Sequence, residues 1–303
     1  MMSSEIKIFA VFGNPIGHSL SPLMHQAALD RMDIQARYVP FRVTDIRKAV
    51  EGIRGLGIQG VSVTLPFKTE VMEYLDEIEE NALRIGAVNT IWNDQGILKG
   101  YNTDWLGFVL SLKEGLEITV RSRQGLDTTK NENRTDRRVA SKPIFALRGK
   151  RFAVIGAGGA ARGVVYGLVQ EGGIPIILNR TLSGAKALGK EFGCPYFPLS
   201  EKDKIDAEGL INTTSLGMAP NTEESPFPRE LLDRFSWVMD IIYNPLKTKL
   251  LREAEEVGCR IITGLGMFVH QGAEQIKIWT GQEPPRDLMR EAVAAELREN
   301  VSI

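Results

Sequence analysis

The chain has 303 residues, of which 43% are hydrophobic and 25% charged, and its formal net charge is −1. Such values are typical of a globular protein, and at about 150 residues per domain the length predicts two domains. A charge balance so close to neutral gives no electrostatic reason to expect nucleic acid or an anionic membrane as a partner. The two cysteines, Cys194 and Cys259, have neither metal-site nor disulfide-framework spacing, so we predict no metal.

The N-terminal segment carries no targeting signal that we can identify. Residues 1–7 lack a basic region followed by a long apolar core, so they do not predict a signal peptide. No apolar run approaches the length needed to span a bilayer. We therefore expect a cytoplasmic enzyme.

The first hundred residues alternate short apolar strands with helical patterns, which predicts a mostly parallel sheet covered by helices. Ser21 and Pro22 are a typical N-cap and first residue of a helix. A long amphipathic helix is expected over residues 69–85. The predicted strands cover residues 8–12, 37–40, 60–65 and a hairpin of 87–92 with 97–100.

The second half of the chain again alternates strands and helices, after a polar interruption. Thr103 and Asp104 are predicted to begin a helix that ends near Leu116. Residues 117–148 are polar and rich in arginine, which favours a surface insertion over a partner-binding segment. Two further helices, residues 265–279 and one after Pro285, are expected to fold back onto the first domain.

A glycine-rich turn in residues 152–181 predicts a dinucleotide-binding site. An apolar strand leads into the turn, and a helical stretch and a second apolar strand follow it. Gly156 permits the tight turn, Gly158 lets the backbone approach a pyrophosphate, and the small Ala161 allows close helix–strand packing. Backbone amides at the start of the helix then face the phosphates. The residues of the turn that we assign to the cofactor are Gly156, Ala157, Gly158, Gly159 and Ala160.

The residues after the second strand favour NADP over NAD. An NAD site carries a carboxylate for the ribose hydroxyl about 20 residues after the first glycine. Asn179, Arg180 and Thr181 occupy this place, 23 positions after Gly156. A guanidinium suits a 2′-phosphate, which a carboxylate would repel, although a surface arginine can also be only a solvated charge.

A dinucleotide site without a metal or flavin signature predicts hydride transfer. Lys68 follows a strand interrupted by Pro66, so it leaves the end of the sheet where α/β enzymes bind ligands. Asp104 begins a helix, where the helix dipole stabilises its charged form. A lysine–aspartate pair that holds a hydroxyl between its members can relay a proton. On these residues alone, a surface lysine and an ordinary first-turn carboxylate remain open alternatives.

Taken together, nine segments in chain order resemble the shikimate dehydrogenase family. They include Ser-x-Ser-Pro at 19–22, Val-Thr-Leu-Pro-Phe-Lys at 63–68, Tyr-Asn-Thr-Asp at 101–104, Gly-Ala-Gly-Gly-Ala-Ala-Arg at 156–162 and Asn-Arg-Thr at 179–181. The full set of matching segments is 13–25, 63–68, 86–90, 100–104, 156–162, 179–181, 212–218, 240–245 and 264–271. The resemblance covers nearly the whole chain except the insertion.

The resemblance implies NADPH-dependent reduction of 3-dehydroshikimate to shikimate, on the route to chorismate and the aromatic amino acids. It implies that Lys68 and Asp104 contact the reacting end of the substrate, and it assigns Gly264 to the cofactor site. The implied substrate-binding residues are Ser19 and Ser21 for the carboxylate, Thr64, Asn89 and Gln271 for the ring oxygens, and Tyr243 near the carboxylate and the nicotinamide.

The implied fold is α/β, with a substrate-binding domain of residues 1–104 and 265–303 and a Rossmann-type NADP-binding domain of residues 105–264. We expect a mostly parallel sheet in the substrate-binding domain. The oligomeric state is expected to be a monomer or a homodimer. The two domains would close around a cleft and exclude water.

Three departures from the family pattern keep alternatives open. Ser62 and Gln26 each stand where asparagine is usual, and Gly184 stands where a second arginine is common, with Lys186 as a candidate substitute. The change at residue 184 weakens the case for strict NADP preference. One alternative is a quinate/shikimate dehydrogenase that also uses NAD, and a remoter one is a non-catalytic relative that senses the metabolite.

Overall fold

Residues 6–126 and 147–299 are described by a computed structural model, which contains two six-stranded sheets and their surrounding helices. The first elements are β1 (Lys7–Gly13), α1 (Ser21–Arg31), β2 (Ala36–Arg42), α2 (Ile46–Gly55), β3 (Gly60–Val63), β4 (Glu77–Ile78), α3 (Glu80–Ile85), β5 (Thr90–Asp94), β6 (Ile97–Tyr101) and α4 (Asp104–Leu126). They are followed by β7 (Arg151–Ile155), α5 (Gly159–Gln170), β8 (Ile174–Asn179), α6 (Leu182–Phe192), β9 (Tyr196–Pro198), β10 (Gly209–Asn212), β11 (Trp237–Asp240), α7 (Lys249–Glu256), β12 (Arg260–Ile262), α8 (Gly264–Thr280) and α9 (Arg286–Glu299). The predicted α/β class is confirmed.

The second sheet has the strand order of a dinucleotide-binding fold. Its order is β12-β11-β10-β7-β8-β9, and its five pairings are all parallel. Counted from β7, this is the 3-2-1-4-5-6 order of the Rossmann fold. The strands β7, β10 and β11 are apolar and nearly fully buried, as parallel strands covered on both faces must be. Strand order reverses between β7 and β10, so a ligand is expected outside the carboxyl ends of these two strands.

The first sheet brings two functional loops to one edge. Its order is β2-β1-β3-β5-β6-β4, and three of its five pairings are parallel. The strands β5 and β6 form the predicted hairpin, whose turn is closed by a 2.8 Å hydrogen bond from the Gly96 amide to Asn93 Oδ1. Since β1 and β3 are adjacent and parallel, the loops that follow them, with Ser19, Thr64 and Lys68, leave the sheet at the same edge.

The C-terminal helices pack against the N-terminal part of the chain. Val269 of α8 and Val293 of α9 share a buried cluster with Phe9 of β1. The tail therefore returns to the first sheet, as the sequence led us to expect. The helices α4 and α8 begin at Asp104 and Gly264, beside the boundaries proposed above, and the division into two domains at those points stays a prediction.

The prediction of one helix over residues 69–85 is wrong. This segment contains a 3-10 helix at Glu70–Tyr74, then β4, then α3. Asp76 interrupts the helical path because it pairs with Leu98 of β6, through its backbone amide to the Leu98 oxygen at 3.0 Å and its carboxylate to the Leu98 amide at 2.7 Å. Glu79 then begins a new helix by accepting from the amides of Asn81 and Ala82. Pairing with the hairpin overrides the amphipathic pattern.

Two further expectations about helix ends need correction. Leu20, not Ser21, is the N-cap of α1, and Ser21 is the first helical residue. The helix α4 continues to Leu126, so it includes the first ten residues of the predicted insertion, and residues 127–146 of that insertion lie outside the described residues. Although α4 has 23 residues, no helix in the described ranges combines the length and the hydropathy needed to cross a membrane.

Candidate active site

Lys68 and Asp104 form a largely buried ion pair. Lys68 lies in the turn after β3, and Asp104 is the first residue of α4. The Lys68 Nζ donates to Asp104 Oδ2 at 2.6 Å, and the two side chains are 14% and 5% exposed. The Lys68 turn is anchored by its backbone oxygen, which accepts from the Val88 amide at 2.7 Å. The predicted pair is therefore brought together, with the lysine the more accessible of the two.

Asn89 holds the second oxygen of Asp104. The Asn89 Nδ2 donates to Asp104 Oδ1 at 2.8 Å and to Thr103 Oγ1 at 2.9 Å. It also lies 3.4 Å from the side-chain oxygen of Gln271, which α8 contributes. The Asn89 oxygen accepts from the Thr103 amide at 2.8 Å. Four of the predicted site residues, each from a different part of the chain, thus form one hydrogen-bonded group.

The predicted carboxylate-binding end lies in the loop after β1. Ser19 Oγ accepts from the Ser21 amide at 3.3 Å, and Ser21 is 7% exposed. Tyr243, from the loop after β11, stacks on Phe268 of α8 with ring centroids 3.9 Å apart. Burial raises the pKa of Tyr243, while hydrogen bonds with the Leu20 backbone and the Ser19 side chain oppose the rise. Tyr243 and Ser19 are therefore in contact although more than two hundred positions separate them.

Thr64 begins the turn that carries Lys68, and its backbone oxygen accepts from the Phe67 amide at 3.0 Å. It follows β3, and its amide donates to the Phe12 oxygen of β1 at 2.9 Å. A Cβ atom at Gly13 would lie 2.5 Å from Thr64 Cγ2. The end of β1 thus needs a glycine so that Thr64 can take this position.

In the glycine turn after β7, an added side chain would have space at one residue and would clash at two others. Gly156 has a φ of +116°, and a Cβ atom there would lie 2.5 Å from Thr213 Oγ1. At Gly158, the N-cap of α5, a Cβ atom would meet none of the described residues within 4 Å. At Gly159 it would lie 2.9 Å from the Cβ of Lys68. The turn therefore offers space beside Gly158 and direct contact with the ion pair beside Gly159.

Two further glycines extend this close contact along α5. A Cβ atom at Gly163 would lie 3.2 Å from the Cβ of Asp104, and one at Gly167 would lie 3.0 Å from a methyl of Val109. Residues four apart share one face of a helix. This face of α5 therefore packs directly against the Lys68–Asp104 pair and α4.

The helix α5 also makes hydrogen bonds with α3, the helix that precedes β5 of the first sheet. Tyr166 Oη donates to Asn81 Oδ1 at 2.6 Å, near the start of α3. Arg162 Nε donates to the Ile85 backbone oxygen at the end of α3, and its Nη2 pairs with Glu191. Gly86 has a φ of +67°, and its lack of a side chain leaves room for the Arg162 guanidinium. The proposed nucleotide helix is thus fixed to the segment that leads to Asn89.

The predicted 2′-phosphate site follows β8. Asn179 Nδ2 donates to the backbone oxygen and the Oγ1 of Thr181, each at 3.0 Å. Arg180 is exposed, and within the described ranges its guanidinium has no carboxylate partner. A Cβ atom at Gly184 would lie 2.7 Å from Asn179 Nδ2. The glycine therefore leaves room for the Asn179 side chain, which turns back onto Thr181. Lys186 is exposed and lies about 200° around α6 from residue 184.

A buried aspartate joins the loops after β10 and β11. Asp240 accepts from Asn212 Nδ2 at 3.1 Å, from the Ile242 amide at 3.0 Å and from Thr248 Oγ1 at 2.7 Å. Burial raises the pKa of Asp240 to about 6 against these three donors. Residue 264, close to these loops, must be a glycine, because a Cβ atom there would lie 2.3 Å from the Ile241 backbone oxygen. In the sequence, Asp240 stood out only as part of the matching segment 240–245, so its role in joining these loops was missed.

A second group that sequence reasoning missed lies behind the substrate-binding residues. It is a buried polar network of His25, Tyr38, Ser62, Thr90 and Gln275. Burial lowers the pKa of His25 to about 4, so this ring is neutral at neutral pH. The one available signal was the spacing of Gln275, four positions after Gln271, which places both on one face of α8.

Two family models match segments of the chain. Residues 11–91 match a family model described as the shikimate dehydrogenase substrate binding domain. Residues 264–294 match one described as the shikimate 5′-dehydrogenase C-terminal domain. A shikimate dehydrogenase (NADP(+)) of Geobacillus kaustophilus is 44% identical over an alignment of 300 positions, which covers 96% of this chain and 99% of that protein.

Solved structures show the same similarity. A shikimate dehydrogenase in complex with NADP+ has a TM-score of 0.82 and 37% identity, with 98% of each chain covered. A shikimate 5-dehydrogenase of Thermus thermophilus, in complex with NADP(H) and shikimate, has a TM-score of 0.78 and 34% identity. That alignment covers 96% of this chain and 99% of the Thermus chain.

Proposed function

Because this chain belongs to the shikimate dehydrogenase family, we propose that it catalyses the reversible NADPH-dependent reduction of 3-dehydroshikimate to shikimate. One observation carries the proposal. The Lys68–Asp104 ion pair, with its 2.6 Å contact, lies between the dinucleotide turn at Gly159 and the hydrogen-bonded group of Asn89. This is where a hydride and a proton must meet on one substrate carbon and its oxygen.

The residues after β7 and β8 fit a dinucleotide with a 2′-phosphate. The open space at Gly158 admits a pyrophosphate, and the first amides of α5 point toward it with the positive end of the helix dipole. The exposed Arg180 and the Thr181 hydroxyl are available to a 2′-phosphate, with Asn179 fixing their loop. The nicotinamide cofactor, when bound, supplies or accepts the hydride.

Lys68 is the residue that moves the proton. As an ammonium it donates a proton from Nζ to the carbonyl oxygen that becomes the hydroxyl of shikimate, and it takes that proton back in the oxidation direction. Asp104, 2.6 Å away, orients the ammonium and stabilises its charge. Asn89 keeps the carboxylate in place from the other side.

The remaining predicted residues bind the substrate. Ser19 and Ser21, with Tyr243 in contact with Ser19, are proposed to bind the carboxylate. Thr64, Asn89 and Gln271 are proposed to bind the ring oxygens, and the 3.4 Å contact between the last two supports a shared site.

The test is turnover by a Lys68→Ala variant in an assay that follows reduced-cofactor absorbance with shikimate and NADP. We expect kcat to fall by about a hundredfold or more, the usual contribution of a general acid–base group, with substrate binding retained. Lys113→Ala is the matched control, because it removes a 2.8 Å lysine–carboxylate pair with Glu171 outside the site. Full turnover by the Lys68 variant would exclude the proposed proton transfer.

Two finer expectations stay predictions. The first is a cytoplasmic location, and the second is a monomeric or homodimeric state. Light scattering after size-exclusion chromatography measures the mass directly and decides the second.

A further inference from the structure

Gln275 lies behind the substrate-binding residues and uses both ends of its side-chain amide. The side chain is 1% exposed. Its Nε2 donates to the backbone oxygen of Asn89 and to Thr90 Oγ1, each at 3.0 Å. Its Oε1 accepts from Ser62 Oγ at 2.7 Å and lies 3.1 Å from His25 Nε2. A buried amide with this many partners has a single orientation.

That orientation is set by a group that can only accept, the backbone oxygen of Asn89. The backbone oxygen of Asn89 has no proton to give, so the NH2 of Gln275 must face it. Thr90 Oγ1 therefore accepts a hydrogen bond from Gln275, and its own O–H is free to donate one. This hydroxyl donates a hydrogen bond to Asn89 Oδ1 at 2.8 Å. Gln275 thus determines the direction of the next hydrogen bond.

The same direction continues to the catalytic pair. Because Asn89 Oδ1 accepts from Thr90 and from the Thr103 amide, the Asn89 NH2 is turned toward Asp104 Oδ1, 2.8 Å away. The other oxygen of Asp104 accepts from Lys68. The donors from Gln275 through Thr90 and Asn89 therefore point in sequence toward the Asp104 carboxylate.

A second branch runs from Gln275 to the other end of the site. Ser62 Oγ, which donates to Gln275, accepts from Tyr38 Oη at 2.6 Å. Tyr38 stacks on His25 with ring centroids 4.3 Å apart and has a hydrogen bond with the Ser21 side chain. Ser62 is thus buried in this network, where the family pattern has asparagine. Gln275 is the point at which the two branches meet.

We propose that Gln275 is a positioning residue that orients the Asn89 amide toward Asp104 and so holds the Lys68–Asp104 pair in its productive geometry. It acts through Thr90 and Asn89 and does not touch the substrate. This inference rests on the function proposed above.

The test compares Gln275→Met with Trp279→Phe. Methionine keeps the length of the glutamine side chain but has none of its hydrogen-bond donors. Trp279, one turn further along α8, donates to the Ile91 oxygen of the same strand at 2.9 Å, so Trp279→Phe loses a comparable buried bond that does not lead to Asn89. We expect Gln275→Met to lower kcat for shikimate oxidation about tenfold, the effect of one hydrogen bond to a charged group, with the KM for NADP unchanged. Trp279→Phe should lose stability and keep its kcat.

Two more variants separate positioning from mere support of the fold. Thr90→Val removes the relaying hydroxyl, leaves Gln275 in place, and should reproduce the loss in kcat. In an Asn89→Ala background, Gln275→Met should cause no further loss, because residues that act through one another are not additive. An equal factor in both backgrounds, or an unchanged kcat in Thr90→Val, would overturn the positioning role. A wild-type chain without shikimate turnover would instead overturn the proposed function and this inference with it.

Discussion

Gly159 shows how closely one residue of the turn contacts the proposed chemistry. A Cβ atom at residue 159 would press on the Cβ of Lys68 at 2.9 Å, whereas one at Gly158 would enter open space. Two adjacent glycines therefore serve different purposes. Gly158 leaves room for the cofactor, and Gly159 leaves room for the lysine that moves the proton.

Alanine at each of these two positions should give opposite kinetic results. Gly158→Ala fills the space of the pyrophosphate, so we expect the KM for NADP to rise with kcat largely kept. Gly159→Ala displaces Lys68, and a misplacement near 1 Å costs about a hundredfold in rate, so kcat should fall with the KM for NADP little changed. Steady-state kinetics with varied NADP measure both. If both variants change only the KM for NADP, Gly159 has no role beyond the cofactor.

At the scale of the elements, Asp240 joins β10, β11 and the start of α7. Thr248 caps α7 by accepting from the Leu251 amide, and its hydroxyl donates to Asp240. Asn212, at the end of β10, donates to the same carboxylate. One buried acidic group thus holds the loops that carry Thr213 and Tyr243. Its ionisation has a cost, because burial raises its pKa from 3.8 to about 6.

Asp240→Asn should remove a pH-dependent part of the stability. A raised pKa means that the folded state binds the proton more tightly, so the free energy of unfolding falls as pH rises from about 4 to about 6 and is constant above. The corresponding energy is about 3 kcal/mol. Asparagine keeps the bonds from Asn212 and the Ile242 amide, so the variant should lack this fall in urea unfolding. An identical pH dependence in both proteins would contradict the raised pKa.

The elements themselves were predictable where local pattern and tertiary context agree. The buried apolar strands of the second sheet and the β5–β6 hairpin carry their own signals and are confirmed. Residues 69–85 have a helical pattern that the pairing of Asp76 with Leu98 overrides. No local pattern reveals that pairing, because it joins segments about twenty positions apart.

At the scale of the whole molecule, the site is assembled from distant parts of the chain. Lys68 and Asp104 could be named from the sequence because Lys68 follows a predicted strand and Asp104 begins a predicted helix, at places where α/β enzymes bind ligands. Gln275 and Tyr38 could not, because their significance depends on packing between α8 and the first sheet. Contacts across such separations are the part of the site that single-sequence reasoning cannot supply.

The cofactor and substrate preference also belong to the whole molecule. Arg180 has no carboxylate partner in the described part of the chain, which favours a 2′-phosphate, while glycine at residue 184 supplies no charge. We expect the Arg180 guanidinium, with Asn179 and Thr181 in its loop, to determine the preference for NADP. The choice between shikimate and quinate depends on the space around the carboxylate-bearing carbon.

The most direct measurement is the rate of cofactor reduction with shikimate and with quinate, each with NADP and with NAD. All four combinations use the same intact protein and the same absorbance signal, so the ratios of kcat/KM compare substrates and cofactors directly. We expect shikimate with NADP to have the highest kcat/KM of the four. A higher kcat/KM for quinate with NAD would contradict it.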